Sequence, residues 1–217
     1  MMLVRPPGVY RPQDDTDLLA EALTEVTLPP RARVLDVGTG TGALAVTAAA
    51  AGAAEVTALD VSRRALLAAW VNTRVRRLPV TVHRGDVSSA PPQGPFDLVL
   101  ANPPYVPWPG GRRRSPRWDA GSDGRAVIDP LCAAVPALLS DRGRFLLVQS
   151  SLSGVEATLA ALAGAGLAAS VVAGRPVPFG PVLRRRARYL EQRGLIAEGQ
   201  REEELVVIRA DRVADAS

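Results

Sequence analysis

The sequence predicts an α/β fold: a seven-stranded, mostly parallel, doubly wound sheet with helices on both faces. Three observations carry that prediction. Short apolar runs rich in valine and leucine alternate with longer segments whose apolar residues recur at spacings of three and four. The first run, Val34-Leu35-Asp36-Val37, leads directly into Gly38-Thr39-Gly40-Thr41-Gly42 and a small-residue helix, a strand–glycine turn–helix unit. A later run, 96–101, is stopped by Asn102-Pro103-Pro104-Tyr105, because neither proline has an N–H to give a sheet ladder.

Residues 1–12 are proline-rich and read as extended. A helix over 14–26 follows, with Asp14 or Asp15 as its cap and Leu18, Leu19, Ala22, Leu23 and Val26 as its apolar stripe. Pro29-Pro30 ends this N-terminal extension and helix, residues 1–30. Strand 34–37 and the glycine turn feed a helix over 43–51. Strand 55–59 ends at Asp60, and Ser62 caps a helix over 63–77 in which Leu66 and Trp70 lie one turn apart. Strand 80–83 runs into Gly85-Asp86-Val87, and strand 96–101 into the double proline. Residues 106–124 form a long loop rich in proline, glycine and arginine. Then come a helix over 125–139, a strand over 144–149, a helix over 154–164 and a strand over 167–173. A basic insertion, 174–203, carries a helix over 182–192 ahead of the last strand, 205–209, and residues 211–217 are expected to fray. No linker or internal repeat divides the chain, so residues 1–217 read as a single domain.

With 217 residues the chain can bury a sizeable core, and 47% hydrophobic with 22% charged residues is the balance of a soluble globular protein. The net charge is +4, and all 26 basic residues are arginine, which permits a nucleic-acid partner without demanding one. The single cysteine, Cys132, excludes an intramolecular disulfide and a cysteine metal cluster; its apolar helical setting predicts a buried thiol. With one histidine, His83, neither a metal centre nor a Ser-His-Asp triad is expected. The N-terminus lacks a signal-peptide pattern, and no apolar stretch reaches the roughly 20 residues of a transmembrane helix. A cytoplasmic protein is expected.

The glycine turn lets a ligand approach the backbone, and the helix beyond it offers free N–H groups. Gly38, Gly40 and Ala43 also satisfy the G-x-G-x-x-A dinucleotide pattern, so nicotinamide and flavin cofactors stand beside other nucleosides. Asp36 tilts the choice: a carboxylate two residues before Gly38 suits a ligand ammonium and repels a pyrophosphate. Asp60 and Asp86, at successive strand tips, suit a ribose diol and an adenine amino group. Adenine, ribose and an amino-acid zwitterion together describe S-adenosyl-L-methionine. At the double-proline end, the Asn102 side-chain oxygen and nearby carbonyls suit a planar NH2 group.

Val34 to Gly42 together with Asn102-Pro103-Pro104-Tyr105 resembles the class I amino-methyltransferases. Within these the chain is most similar to the HemK-type glutamine methyltransferases of translation release factors, in the short subtype without an N-terminal helical domain. Val9-Tyr10-Arg11-Pro12-Gln13-Asp14-Asp15-Thr16 matches that subtype's opening motif, and Gly121-Ser122-Asp123-Gly124-Arg125 a later one. The resemblance covers roughly residues 8–175 and 203–209. It implies a Rossmann-like methyltransferase domain with S-adenosyl-L-methionine as cofactor. It implies cofactor contacts at Thr16, Asp36, Gly38, Asp60, Asp86 and Val87, with Gly40, Gly42, Val61 and Asn102 completing the set. Asn102 is implied to hold the acceptor amide, Pro103 and Tyr105 to complete its pocket, and 106–124 to be a substrate loop. Asp36 stands where glutamate is common, and the insertion at 174–200 is longer than in the smallest members.

The clamp does not name its acceptor. A release-factor glutamine is the first reading, a nucleic-acid amino group such as adenine N6 the second, a biosynthetic small molecule the third, and a non-catalytic cofactor-binding subunit the fourth. Trp108, Arg112, Arg113, Arg114, Arg117 and Trp118 are suited to phosphates and bases or to an acidic protein surface, with a mobile solvated loop as the plain alternative. Arg184, Arg185, Arg186 and Arg188 pose the same choice, with a solvated helix face as the plain alternative. A small activating subunit, as some relatives of the subtype have, is compatible with the sequence.

Overall fold

The computed structural model describes residues 2–108, 110, 115 and 117–212. Seven strands form one sheet in the order β3-β2-β1-β4-β5-β7-β6. They are β1 (Arg33–Val37), β2 (Glu55–Asp60), β3 (Val80–Arg84), β4 (Phe96–Ala101), β5 (Leu139–Ser150), β6 (Leu167–Pro178) and β7 (Glu202–Arg212). The helices are α1 (Asp14–Thr24), α2 (Ala43–Ala50), α3 (Arg63–Arg74), α4 (Ile128–Ala134), α5 (Val155–Gly164) and α6 (Pro181–Gln192). Pairing is parallel from β3 through β5; β7 alone runs against both neighbours.

The alternation of side chains along β4 sorts the two cores. Leu98 and Leu100 face α1 and α2, packing with Leu19, Leu23, Leu44 and Ala48. Val99 and Ala101 face α4 and α5, packing with Ile128, Leu131 and Leu162, and Phe96 joins them across the register shift between Phe96 and Leu98. A third cluster lies off the sheet: Phe179, Leu183, Ala187, Leu190 and Ile196 of the insertion close over Val106.

Several expected boundaries move, each for a physical reason. The helix expected over 125–139 is only Ile128–Ala134, tightening to a 3-10 turn at Val135–Ala137. Pro130 is tolerated in its first turn, but Pro136 cannot donate an N–H and ends it. The strands expected at 167–173 and 205–209 extend until Pro178 pairs with Glu202, so the insertion is a long hairpin bearing a helix. Asp211 and Arg212, expected to fray, are paired in the sheet, and residues 213–217 lie outside the described ones. Neither Asp14 nor Asp15 caps α1: the capping position is Gln13, without a side-chain bond. Ser62 does cap α3, accepting from Ala65 N at 3.4 Å. Leu66 is buried, but Trp70 is half-exposed. Cys132 is buried, and burial pushes its thiol up to about 11. Among the described residues no helix is long and apolar enough to cross a membrane.

Candidate active site

From β1 the chain runs outward to β2 and β3, then returns on the other side of β1 at β4. The switch point between β1 and β4 is where an open sheet of this kind receives a ligand. A cavity of about 800 Å³ opens there, bounded by residues 8–16, the glycine turn, the tips of β2, β3 and β4, and the start of α6.

Gly38 has φ +70°, and a Cβ built on it would meet nothing within 4 Å, so its neighbourhood is open for a ligand. Gly40, at φ +56°, is also on the wall. Gly42 does something else. Its Cβ would lie 3.0 Å from Ala69 Cα, so Gly42 lets α2 pack on α3 and does not line the cavity.

Asp36 also departs from expectation. It is fully buried behind the turn and off the wall. Its Oδ2 accepts from the Thr39 hydroxyl at 2.6 Å and from Ala45 N at 3.0 Å, tying the turn to the first turn of α2. Its Oδ1 has no partner, and burial pushes its carboxyl up to about 7.

Asp60 is on the wall, held by Gly40 N at 3.0 Å on Oδ2 and Ser62 N at 2.8 Å on Oδ1. Burial raises its pKa against those bonds. Val61 is on the wall and 58% exposed, an apolar surface open to a flat ring. Asp86 is exposed at the rim, its Oδ1 accepting from Ser88 N at 2.8 Å and from the Ser88 hydroxyl, which lowers its pKa; Val87 beside it is buried.

Asn102, at the tip of β4, donates from Nδ2 to Thr16 Oγ1 at 3.1 Å. Among the described residues nothing donates to its Oδ1, and Asn102 lies on the cavity wall. Thr16 is itself fixed: its hydroxyl and its N–H both donate to Asp15 Oδ1, at 3.1 and 2.5 Å. Asp15 Oδ2 accepts from Tyr105 at 2.9 Å and from Tyr10 at 2.6 Å. Burial and the Asp15 charge raise both phenols above their ordinary range, so they stay protonated donors. Tyr105 is thus anchored through its hydroxyl, with its ring where all three apolar clusters meet. Its carbonyl accepts from Ser153 Oγ at 2.7 Å, and Gly124 packs so closely there that a Cβ would strike it. Arg125 locks this buttress through Ser153 O at 2.6 Å and Gly154 O at 2.8 Å.

Sequence reasoning missed Asp15 as the hub of the clamp, and it missed Tyr10, Ser153 and Glu203. The first two stand in the opening motif. Nothing local distinguishes Ser153 or Glu203.

Two of the four arginines of α6 work inside the protein. Arg186 pairs with the buried Asp119 at 2.6 Å and donates to Pro107 O at 2.8 Å; Arg184 donates to Phe179 O at 2.6 Å. Arg185 and Arg188 are exposed, Arg185 at the cavity. Arg117 lies over the Trp118 ring at 4.3 Å, which occupies that face. Arg112, Arg113 and Arg114 lie outside the described residues.

A mostly parallel sheet of this order, with a glycine turn and two strand-tip carboxylates beside the Asn102-Pro103-Pro104-Tyr105 turn, defines a class I methyltransferase. The chain belongs to the methyltransferase small domain family, whose model matches residues 1–170. It is 30% identical over 177 residues to a putative protein N5-glutamine methyltransferase of Methanocaldococcus jannaschii, covering 80% of this chain and 88% of that one. It is 42% identical over 146 residues to the release factor glutamine methyltransferase of Deinococcus radiodurans, covering 63% of this chain and 52% of that protein. The chain thus spans most of the archaeal relative and about half of the bacterial one. Among solved structures, it superposes on the E. cuniculi Mtq2-Trm112 complex, which methylates the eRF1 termination factor. There the TM-score is 0.66 at 23% identity, covering 95% of this chain and 99% of that one. A T. thermophilus 16S rRNA N2 G1207 methyltransferase with AdoMet and guanosine gives a TM-score of 0.65 at 24% identity, covering 96% and 46%. The fold is that of S-adenosyl-L-methionine-dependent methyltransferases, and that cofactor is the enzyme's methyl donor.

The residues present fit it. Three carboxylates, Asp36, Asp60 and Asp86, stand about the glycine turn, a poor setting for a pyrophosphate. Asp60, held at the wall by two backbone N–H groups, offers carboxylate oxygens that suit a diol.

Proposed function

We propose that the enzyme methylates a glutamine side-chain nitrogen, that of the Gly-Gly-Gln loop of a translation release factor. The observation that carries this is the Thr16–Asn102 bond: with Nδ2 turned to Thr16 Oγ1 at 3.1 Å, the side-chain oxygen is left as an acceptor that no described residue fills. When bound, S-adenosyl-L-methionine supplies a methyl group on a sulfonium, activated for in-line displacement. Gly38 and Gly40 would admit it to the backbone, Asp60 would take its ribose diol, and Val61, Asp86 and Val87 would take its adenine. Asn102 Oδ1 and the Pro103 carbonyl accept the two N–H bonds of the acceptor amide. Holding both directs the nitrogen lone pair toward the methyl and favours the positive charge that grows there. Transfer of that methyl would form the N–C bond as the donor's S–C bond broke, its electron pair remaining on sulfur, and the surplus proton would leave the nitrogen afterwards. Tyr105 closes the pocket wall. This assigned role for Asn102 argues against a non-catalytic subunit.

A peptide acceptor is favoured over a base because Arg117 already covers Trp118, the tryptophan at the cavity. The reading places one catalytic domain over residues 1–217, with 106–124 and 174–203 forming its acceptor side, in the cytoplasm where release factors act. The relatives named for release factors support it. A small activating subunit would dock on α3, where Leu67, Trp70 and the following Val75 are exposed and the exposed Met2 and Val4 lie alongside. Full turnover by the chain purified alone would remove the need for one.

The test is mass spectrometry of release factor after incubation with enzyme and cofactor. One methyl group on the glutamine is expected. Labelling confined to RNA, DNA or small molecules overturns the reading.

A further inference from the structure

The last strand opens Glu202-Glu203-Glu204, and strand alternation turns only the middle one inward. Glu203 is 9% exposed, pairs with Val177 of β6, and lies on the wall of the same cavity as Asn102. Its Oε2 has no hydrogen-bond partner. The groups around it do not supply one. Tyr10 and Tyr105 each have a single hydroxyl proton, given to Asp15. Asp15 is a second carboxylate and repels it. Ser150 on β5 bonds to its carboxyl and still leaves Oε2 orphaned. Arg185 of α6 lines the cavity but is itself exposed. A buried carboxylate oxygen left so is costly, and the donor that relieves it has to enter through the cavity.

We propose that Glu203 forms a second acceptor subsite, its Oε2 accepting a main-chain N–H of the substrate peptide beside the methylated glutamine. This rests on the peptide reading above. The clamp at Asn102 and Pro103 uses both protons of the side-chain NH2, so the donor at Glu203 is a separate group. Glycines flanking the glutamine would let a bare main chain enter this narrow place. Burial and the Asp15 charge hold the Glu203 carboxyl up to about 7, against the Ser150 bond. Below that pH Glu203 is protonated and accepts poorly; above it the carboxylate is a full acceptor. Acceptor binding therefore strengthens as pH rises through about 7.

The experiment is steady-state kinetics of the whole enzyme on release factor from pH 5.5 to 9, with cofactor affinity by calorimetry. For wild type, KM for release factor is expected to fall as pH rises. Glu203→Gln is expected to raise KM at pH 8 on the order of tenfold, as loss of one charged hydrogen bond does. It should also flatten the pH profile, with cofactor affinity retained as proof of fold. A release factor whose main-chain amide beside the glutamine is N-methylated by semisynthesis should lose affinity for wild type and not for the variant. An unaltered KM and pH profile in Glu203→Gln overturns the subsite. Equal loss of affinity for both enzymes with the N-methylated factor overturns the main-chain assignment. If wild type leaves the glutamine unmethylated, the peptide reading falls and this subsite falls with it.

Discussion

In the proposed clamp, Thr16 is the residue that sets which end of the Asn102 amide is presented. A carboxamide can present either its oxygen or its nitrogen, and the hydroxyl 3.1 Å from Nδ2 decides between them. Asn102→Ala removes the acceptor and should lower kcat by about 10²-fold or more, as loss of other preorganised polar groups does. Thr16→Val keeps the volume but loses the bond, so it should lower kcat by about tenfold, with Thr16→Ser restoring it. Stopped-time assays with saturating cofactor check both; a Thr16→Val enzyme of full kcat would remove the orienting role. Asp60→Ala should instead weaken cofactor binding at least about tenfold, read by calorimetry. The place of Asp60, Gly38 and Asn102 at the cavity was legible in the sequence because glycine and proline punctuate the main chain where the strands end. Asp15 was not. Its sequence position reads as a helix cap, and only the fold brings Tyr105 to its carboxylate.

Elements carry the next layer. The insertion is held over the acceptor side by its own small apolar cluster and by Arg186, whose partner Asp119 is fully buried. Breaking such a pair costs more than breaking a surface one, because a charge stays inside. Arg186→Ala should therefore loosen α6, lowering stability by about 3 kcal/mol. Limited proteolysis should cut the insertion faster than in wild type while the sheet persists. Equal digestion of both proteins would show that the cluster alone holds it. The helix within 182–192 was legible from its spacing. The hairpin beneath it was not, since β6 there alternates without a strong apolar pattern. Pairing with β7, not burial, makes it a strand.

At the scale of the whole molecule, the site puts strain on the fold through its charges. Sheet order and site position follow from main-chain signals and were readable; the titration of the site follows from packing and was not. Asp36 and Glu203 are both raised to about 7 by burial. A carboxyl whose folded pKa exceeds its unfolded value holds its proton more tightly in the fold, so stability is greatest while it is protonated. For Glu203 the ordinary value of 4.5 and folded value of about 7 set the window: stability is lost as pH rises between them and stays lost above. Glu203→Gln cannot ionise and escapes that loss. Thermal melts of ligand-free wild type and variant should therefore differ more in the variant's favour at pH 8 than at pH 5. Asp36 and every other group titrate alike in both proteins, so the change in that difference isolates Glu203. A difference that does not move between the two pH values would mean that the Glu203 carboxyl is not raised, and that its orphaned oxygen finds a donor within the fold.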